Sequence, residues 1–357
     1  MSKRWRVGVL GATGLAGQRY VSLLSEHPWF DLTWLAASPR SAGRSYREAV
    51  AGRWHGAGGP PEHVAGLKVR RVSEVKAGAK ACDLIFSAVT SPVAREFEMR
   101  YAAAGAPIVS NASAHRGDPD VPVVVPEINP GHLDVIRMQR KERGFERGFV
   151  VAKPNCSLQS YLAPLVALDE RFGVERVIVT TLQALSGAGH PGVSSMDVID
   201  NVIPLIPGEE EKSEGEPLKI LGKVGRRGIA PRRGLDISAH CNRVPVLDGH
   251  LACVSVGFRK RPGQKAIESA WRGFAGRPQE LALPSAPRPA LVLRDEPDRP
   301  QPRRDRDAGS GMAISVGRLR SCPVLDWRFV GLSHNVLRGA AGGGVLIAEL
   351  LAAEGWL

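Results

Sequence analysis

Apolar residues along the first 125 positions fall in short runs separated by polar or helically spaced stretches. The runs that predict strands are 6–10, Phe30–Ala37, 84–89, Pro107–Ser110 and 121–125. Between the first two, segment 18–26 carries Tyr20, Leu23 and Leu24 on one side, as an amphipathic helix does. Strands that alternate with helices are typical of βαβ units, so we expect an α/β domain with a parallel sheet.

The pattern changes near residue 150, where longer strands dominate. These strands are predicted at 176–184, 251–258, 312–319 and 326–332. They indicate a second, α+β domain with a mainly antiparallel sheet. Within it, the polar, proline-rich stretch 277–311 is expected to be surface loop for much of its length.

The last helical pattern, 335–357, carries apolar residues after three consecutive glycines. A terminal amphipathic helix that follows a sheet often returns to the first domain, and we expect this here. The predicted organisation is therefore a first domain of residues 1–152 together with 335–357, and a second domain of residues 153–334.

The composition is that of a globular chain with a basic surface. The chain has 357 residues, 43% of them hydrophobic, and 48 Lys+Arg against 36 Asp+Glu, which gives a formal net charge of +12. No apolar run approaches the ~20 residues that span a bilayer. The charge would suit nucleic acid, but the basic residues are scattered, and zinc-finger, basic-zipper and RNA-binding aromatic signatures are lacking. A nucleic-acid-binding protein is therefore the weaker alternative, and the charge is expected to form either a solvated basic surface or a site for anionic small molecules.

The five cysteines are widely spaced and form no CxxC pair; they are Cys82, Cys156, Cys241, Cys253 and Cys322. An odd count without close pairing is typical of a reducing compartment. Residues 1–6 are basic, but a strand and a glycine loop follow them rather than the apolar core of a signal peptide. We expect a cytoplasmic protein.

A glycine-rich turn, G-A-T-G-L-A-G at 11–17, follows the first predicted strand and precedes the first helix. In this context glycines let the backbone approach a pyrophosphate, while the helix N-terminus offers free N–H groups and a positive dipole end. The spacing differs from the more familiar G-x-G-x-x-G. The candidate cofactor-binding residues of this turn are Gly11, Thr13, Gly14, Leu15 and Ala16.

The end of the second predicted strand bears on which dinucleotide fits. Sites for NAD usually place Asp or Glu there to bind the ribose 2′-hydroxyl. This chain instead has Ser38, Arg40 and Ser41. Hydroxyls and a guanidinium group suit a 2′-phosphate, which Arg can bind through two parallel hydrogen bonds. The sequence therefore favours NADP over NAD.

The strongest chemical motif is Lys153-Pro154-Asn155-Cys156-Ser157, followed by an apolar-periodic run. Pro154 disfavours helix before it and Asn155 is a good N-cap, so Cys156 is expected in the first helical turn. A thiol there has a lowered pKa, and the free N–H groups can hold an oxyanion. With a nicotinamide cofactor, such a thiolate suggests addition to an aldehyde, hydride transfer and cleavage of a thioester.

This chemistry requires an acid/base near the sulfur. Of the nine histidines, His250 is the best placed, because it stands at a turn that leads into the predicted strand 251–258. His190, between a glycine and a proline in a loop, is its rival.

Short motifs in order along nearly the whole chain resemble the aspartate-β-semialdehyde dehydrogenase family, specifically its archaeal and fungal branch. They are GATGLAG (11–17), SPRSAGR (38–44), SNASAHR (110–116), PNCS (154–157), LQALSGAGHPG (182–192), DNVIP (200–204), GEEEK (208–212), RVPVLDGH (243–250) and LSHNVLRGAAG (332–342). The resemblance implies a Rossmann-type NADP-binding domain followed by a catalytic and dimerisation domain. It also implies NADPH-linked interconversion of L-aspartyl 4-phosphate and L-aspartate 4-semialdehyde, towards lysine, methionine and threonine, by a homodimer or homotetramer.

The resemblance also implies roles for residues in the matching motifs. Cys156 is similar to the family's nucleophile, His250 to its acid/base and Gln183 to the glutamine that orients the acyl intermediate. The residues that it implies for the substrate are Arg243 at the α-carboxylate, Glu216 at the amine, and Arg116, Asn155 and Lys219 at the phosphate. Those that it implies for the cofactor are Ser87, Ser186, Gly187 and Asn335, and it implies no metal.

One alternative within enzymes stays open. An acyl-CoA reductase on the same scaffold, such as a malonyl-CoA reductase, would keep the thiol and the cofactor but take another acyl donor. Glu216 and Arg243 favour an amino-acid substrate, since they supply an anion for its amine and a cation for its carboxylate.

Overall fold

The computed structural model describes residues 4–56 and 58–357, and a parallel sheet organises the first part of the chain. Its strands are β1 (Trp5–Leu10), β2 (Phe30–Ala37), β3 (Val69–Arg71), β4 (Leu84–Ser87), β5 (Pro107–Ser110) and β6 (Phe149–Ala152). The helices are α1 (Leu15–Leu24), α2 (Tyr46–Val50), α3 (Glu62–Ala65), α4 (Val75–Ala81), α5 (Ser91–Ala103) and α6 (Val135–Arg143), the last preceded by a 3₁₀ turn, Pro130–Asp134. The order β3-β2-β1-β4-β5-β6 is that of a doubly wound Rossmann-type sheet, so the predicted fold class is confirmed.

The strand order reverses between β1 and β4, and the loops after these two strands touch. Gly11, at φ +79°, follows β1, and a Cβ added to it would lie 2.6 Å from the backbone oxygen of Ala88, after β4. Ligands bind at such a reversal in open α/β sheets. The glycine turn therefore lies where a dinucleotide is expected.

A second, mixed sheet follows, with the order β10-β7-β11-β14-β13-β12. The remaining strands are β7 (Val174–Gln183), β8 (Lys223–Gly225), β9 (Gly228–Ala230), β10 (Asp236–Arg243), β11 (His250–Phe258), β12 (Leu291–Arg294), β13 (Ile314–Ser321) and β14 (Trp327–Ser333). The helices are α7 (Leu162–Phe172), α8 (Ser195–Val198), α9 (Glu209–Ile220), α10 (Gln264–Arg272), α11 (Arg277–Glu280) and α12 (Pro302–Asp305). The central pairings are antiparallel and the pairing at each edge is parallel, while β8 and β9 form a separate hairpin.

Two expectations about local structure are wrong. The stretch 277–311 is not mainly loop, because it contains α11, α12 and β12, and β12 pairs with β13 and extends the sheet. The run 121–125 is fully buried but is not a strand, since Val123 forms only an isolated bridge to Ala152. The apolar run at 121–125 thus reflects the burial of these residues and not their pairing in a sheet.

The last helix, α13 (Gly342–Ala353), packs against the first sheet. A π-helical turn, Leu337–Ala341, precedes it. Leu346 and Leu350 are fully buried in one cluster with residues of β1 and α1, such as Val9. Glu349 is also buried, and its carboxylate lies 2.8 Å from His27 Nε2 and accepts a bond from the backbone N–H of Ser285. The late helix thereby completes the core of the first sheet.

Candidate functional site

Cys156 lies in the loop that follows β6, at the carboxyl edge of the first sheet. It immediately precedes a 3₁₀ turn, Ser157–Ser160, and α7 begins only at Leu162. Asn155 Oδ1 accepts the predicted capping bond from the Ser157 N–H, at 2.8 Å. The thiol therefore stands before a short turn, and the expectation that it lies in the first turn of an α-helix is wrong.

The electrostatics of the thiol differ from the expectation as well. Burial raises the pKa of Cys156, and the nearby carboxylate of Glu209 raises it further. The positive charges of Lys153, Arg116 and Arg243 act in the opposite direction. The expectation of a lowered pKa is thus wrong in direction, because burial outweighs the positive charges around the thiol.

His250, the first residue of β11, is fully buried beside the thiol, with Nε2 3.3 Å from Cys156 Sγ. The backbone N–H of Ala184 donates to Nδ1 at 3.0 Å, so the neutral ring carries its hydrogen on Nε2, facing the sulfur. Burial lowers the pKa of His250 to about 3, and the imidazole is therefore neutral near pH 7. The rival, His190, instead contacts His55, with ring centroids 4.6 Å apart.

Three predicted site residues lie at one end of neighbouring strands. Gln183 ends β7, Arg243 ends β10 and pairs with Gln183, and His250 begins the antiparallel strand β11 on the other side of β7. The loop after β7 closes over them, and a Cβ added to Gly187 would lie 2.8 Å from Arg243 Nη1 and 2.9 Å from His250 Cε1. Glycine is required there because a side chain would displace both groups.

Two cavities meet at Cys156. The first is lined by residues predicted for the phosphate or the cofactor, together with Lys153; they are Arg116, Asn155, Leu15, Ala16, Ser186, Gly187 and Asn335. The second is lined by Gln183 and Arg243, and by Glu209 and a group of apolar residues from 193–207. The sulfur thus lies between residues predicted for the phosphate and the cofactor and residues predicted for the acyl intermediate and the α-carboxylate.

Glu209 also lines the second cavity, and the sequence does not predict a role for it. Its carboxylate accepts bonds from Asn155 Nδ2 at 2.8 Å and from Gln183 Nε2 at 3.2 Å, and it pairs with Lys212 at 2.8 Å. It is the first of three consecutive glutamates at the start of α9. Glu210 accepts from the Cys241 N–H of the edge strand β10, which fixes the face of α9 that meets the sheet. Only this packing distinguishes Glu209 from its neighbours.

Glu216 and Lys219 lie behind Arg116. Glu216 accepts from Arg116 Nη1 and from the Asn155 N–H, both at 2.7 Å. Lys219 Nζ donates to the carbonyls of Arg116 at 2.7 Å and Asp118 at 2.6 Å, and burial lowers its pKa to about 8. Both side chains therefore hold the Arg116 loop, and the structure does not bring them into the walls of the two cavities at Cys156.

A third cavity lies at the strand reversal and suits the adenosine half of a dinucleotide. It is lined by predicted residues of the glycine turn and by Ser38, with further residues from the ends of β3 and β4; they include Gly11, Thr13, Gly14, Arg71 and Val89. Among the described residues, the first turn of α1 carries no acidic side chain and no side-chain cap, so its N–H groups are free for a diphosphate. The residues present fit a dinucleotide.

The remaining predicted cofactor residues have different surroundings. Ser38 and Arg40 are exposed at the end of β2, whereas Ser41 is buried and its hydroxyl lies 3.5 Å from Arg53 Nη2. Ser87 is fully buried at the end of β4 and does not line the cavity, whereas Val89 and Thr90 do, so that its contact with the cofactor stays a prediction. Arg71, at the end of β3, was missed and adds a cation beside Ser38.

Asn335 connects the two sides of the site. Its Oδ1 accepts from the backbone N–H of Gly249 at 2.8 Å, next to His250, and its Nδ2 donates to Ser186 Oγ at 2.7 Å.

In the described residues no group of three or more His, Cys, Asp or Glu side chains could hold a metal ion. Over 4–56 and 58–357, none of the helices is both long and apolar enough to cross a membrane.

Comparison with known proteins identifies similar sequences over almost the whole chain. Residues 6–136 match the model of the semialdehyde dehydrogenase NAD binding domain, and residues 162–338 match that of the semialdehyde dehydrogenase dimerisation domain. The aspartate-semialdehyde dehydrogenase of Aspergillus fumigatus is 47% identical, covering 99% of this chain and 98% of that protein. That of Archaeoglobus fulgidus is 46% identical, covering 98% and 99% respectively.

Solved structures agree. The aspartate-semialdehyde dehydrogenase of Candida albicans with NADP has a TM-score of 0.90 and 42% identity, covering 99% of this chain and 100% of that one. Aspartate-semialdehyde dehydrogenase II of Vibrio cholerae, complexed with ASA, has a TM-score of 0.78 and 25% identity, covering 98% and 99%.

Proposed function

Because the chain belongs to the aspartate-semialdehyde dehydrogenase family, we propose that it converts L-aspartyl 4-phosphate to L-aspartate 4-semialdehyde through a thioester on Cys156, with NADPH as reductant. The reaction is reversible and belongs to the biosynthesis of lysine, methionine and threonine. The observation that carries this proposal is the 3.3 Å approach of His250 Nε2 to Cys156 Sγ where two cavities meet.

In the reductive direction, the Cys156 thiolate attacks the acyl carbon, the bond from that carbon to the phosphate oxygen breaks, and phosphate leaves beside Arg116. Bound NADPH supplies the hydride that reduces the resulting thioester. The oxyanion on the reduced carbon then re-forms the carbonyl and expels the Cys156 thiolate. His250 Nε2–H stabilises that thiolate by a hydrogen bond. The neutral imidazole suffices for this hydrogen bond, so His250 need not act as the acid/base that the resemblance implies.

The second cavity suits the amino-acid end of the substrate. Arg243 can bind the α-carboxylate, and Glu209 supplies the anion for the α-ammonium group, since it faces this cavity while Glu216 is engaged by Arg116. Asn155 and Arg116 remain on the phosphate side, with Lys219 acting through the Arg116 backbone. This division assigns one cavity to each end of aspartyl phosphate.

The residues that would hold NADP lie along the carboxyl edge of the first sheet. The turn formed by Gly14, Leu15 and Ala16 would bind the diphosphate at the start of α1. Ser38 and the guanidinium groups of Arg40 and Arg71 would surround the 2′-phosphate.

We further propose the domain limits predicted above and a homodimer formed through the second sheet. The match of 162–338 to a dimerisation domain supports this assembly, as does the exposed side chain of Ile178 on β7. The unpaired cysteines support a cytoplasmic location.

The deciding experiment is an assay of the wild type and of Cys156→Ser with aspartate semialdehyde, phosphate and NADP⁺. The wild type should form NADPH, and the variant should lose at least about 10³-fold in kcat while still binding NADPH, because serine lacks a thiol's nucleophilicity. A variant with near-normal turnover would contradict the thioester mechanism.

A second arm of the same assay tests the alternative acyl donor. Wild-type enzyme supplied with malonyl-CoA and NADPH should show no oxidation of the cofactor. Efficient turnover of malonyl-CoA, with none of aspartate semialdehyde, would establish the acyl-CoA reductase activity instead.

A further inference from the structure

Lys153 is a buried ammonium group close to the nucleophile, and the mechanism above makes no use of it. Its side chain is 3% exposed, and its backbone N–H donates to the Ser110 carbonyl at 2.8 Å, just beyond β6. Burying a cation costs several kcal/mol unless polar groups compensate it. The polar groups that compensate the buried charge of Lys153 therefore indicate its role.

The ammonium group joins two segments that are far apart in the chain. Nζ donates to the carbonyl of Pro154, at 2.6 Å, and to the carbonyl of Gly339 in the π-helical turn. Gly339 packs directly on the nucleophile, since a Cβ added to it would lie 2.7 Å from Cys156 Cβ. Lys153 therefore ties the loop that carries the thiol to the turn against which the thiol rests.

The π-helical turn is held on its other side by Arg338. Its guanidinium group binds both oxygens of Glu127, at 2.5 and 2.7 Å, and donates from Nε to Gln159 at 2.9 Å. All of these side chains are buried. Arg338 thus fixes the position of the π-helical turn, and Lys153 fixes the position of the Cys156 loop relative to that turn.

Charge gives Lys153 a second effect. The charged and titratable groups that face the thiol are Glu209 from α9, His250 from β11, Arg243 from β10, Arg116 from the loop after β5, and Lys153. Arg116 is paired with Glu216, whereas both hydrogen bonds from Lys153 Nζ go to neutral carbonyls. Burial lowers the pKa of Lys153 whereas the Cys156 thiolate raises it, and the Lys153 cation in turn lowers the pKa of Cys156, so that each charge stabilises the other.

We propose that Lys153 is a positioning residue for Cys156: its ammonium group fixes the loop before the thiol against the turn behind it and supplies the positive charge that stabilises the thiolate. This inference rests on the proposed role of Cys156 as nucleophile. It extends that role to a residue whose ammonium group is hydrogen-bonded to the backbone on both sides of the thiol.

The test compares Lys153→Met, which keeps the length and removes the charge, with Lys153→Arg, which keeps the charge. Lys141→Met, at an exposed position on α6, is the matched control. Alkylation of Cys156 by iodoacetamide is followed against pH in NADP-free enzyme and mapped by mass spectrometry, and kcat and KM are measured with aspartate semialdehyde. Thermal unfolding and NADPH binding establish that each variant is folded.

In Lys153→Met the midpoint of alkylation should rise by about one pH unit or more, which corresponds to about 1.4 kcal/mol or more of lost thiolate stabilisation. Its kcat should fall roughly tenfold or more while KM changes less than about threefold, because the thiol and not substrate binding is affected. Lys153→Arg should keep the midpoint within about 0.3 pH unit but lose kcat, since its planar guanidinium group cannot repeat both bonds. Lys141→Met should match the wild type.

A Lys153→Met midpoint within about 0.3 pH unit of the wild type, or a kcat within about twofold, would overturn the inference. If that variant does not fold, Lys153→Arg decides alone. If the pH midpoint of alkylation in Lys153→Arg differs from that of the wild type although the positive charge is retained, the charge effect is contradicted. If the kcat of Lys153→Arg equals that of the wild type, the positioning effect is contradicted. Failure here is distinct from failure of the proposed function, because the latter is overturned by an active Cys156→Ser enzyme or by turnover of malonyl-CoA without turnover of aspartate semialdehyde, and neither result depends on Lys153.

Discussion

Glu209 and Glu216 both have carboxylates bonded to Asn155, yet different contacts hold them. Glu209 lines the cavity that Gln183 and Arg243 also line, whereas Glu216 is paired with Arg116. A carboxylate that faces the cavity can bind the substrate's ammonium group, and one that is paired with Arg116 acts on the phosphate through that residue. The two glutamates should therefore affect different kinetic constants.

We expect Glu209→Gln to raise KM for aspartate semialdehyde roughly tenfold or more, the value of one charge-assisted hydrogen bond. The same change removes a negative charge that raises the pKa of Cys156, so the pH midpoint of its alkylation should fall. Glu216→Gln should raise KM for phosphate instead. Glu211→Gln, exposed in the same first turn of α9, is the control; equal effects of all three on the semialdehyde KM would contradict the assignment.

At this scale the sequence singled out Cys156 and His250, which lie 3.3 Å apart in the structure, but not the groups around them. Cys156 stands out because a proline and an asparagine precede it, and His250 because it borders a strand. Glu209 is indistinguishable in sequence from Glu210 and Glu211, since only packing of α9 on β10 turns it inward. The pKa of Cys156 was mispredicted because burial and the charge of Glu209 depend on tertiary contacts that no motif contains.

At the scale of elements, the proposed 2′-phosphate site lies at the carboxyl ends of β2 and β3. β2 and β3 are parallel neighbours, so Arg40, just beyond β2, and Arg71, the last residue of β3, emerge at the same edge of the sheet. Two exposed guanidinium groups beside Ser38 suit a 2′-phosphate better than a 2′-hydroxyl.

Arg40→Glu and Arg71→Glu should each weaken NADPH binding roughly tenfold or more, through loss of a charge-assisted bond and added repulsion, and leave NADH binding unchanged. Titration of the fluorescence of each cofactor measures both constants. Arg70→Glu is the matched control, because its side chain lies over the Trp34 ring, 5.6 Å from the centroid. Equal losses for NADPH and NADH would show that these arginines do not contact the 2′-phosphate.

Local pattern predicted the strands that have neighbours on both sides. The bounds of β2 and β5 agree with their apolar runs, and β7, β11, β13 and β14 were placed within a few residues. The edge strands β10 and β12 were not predicted, because each has a partner on one side only, β10 carries mostly polar residues and β12 has only four residues. Their pairing depends on segments distant in the chain, which periodicity does not record.

For the molecule as a whole, a buried neutral histidine makes stability depend on pH. The pKa of His250 is about 3 in the folded protein, below the ordinary value of 6.5, because burial penalises the imidazolium form. Below pH 6.5 the unfolded chain binds a proton that the native site does not accept. Stability from this group is therefore complete above pH 6.5 and is lost as the pH falls towards 3.

Between pH 7 and pH 5 the contribution lost from His250 should be about 2 kcal/mol in the free energy of unfolding. His250→Asn, which does not titrate, should lose correspondingly less than the wild type over the same interval. Urea unfolding at both pH values gives the difference. Identical losses in the two proteins would show that His250 titrates alike in the folded and unfolded chains.

The position of α13 also constrains how the chain is made. The core of the first sheet contains residues of β1 and α1 together with Leu346 and Leu350, and a Cβ on Gly344 would lie 1.9 Å from Tyr20 Oη. The ribosome synthesises the chain from the N-terminus, so β1 to β6 are translated before the second sheet and before α13. One apolar face of the first sheet therefore stays exposed while the second sheet is synthesised. The first sheet can complete its core only after the second has been translated. A chaperone that shields apolar surface should therefore act on the nascent chain during that interval.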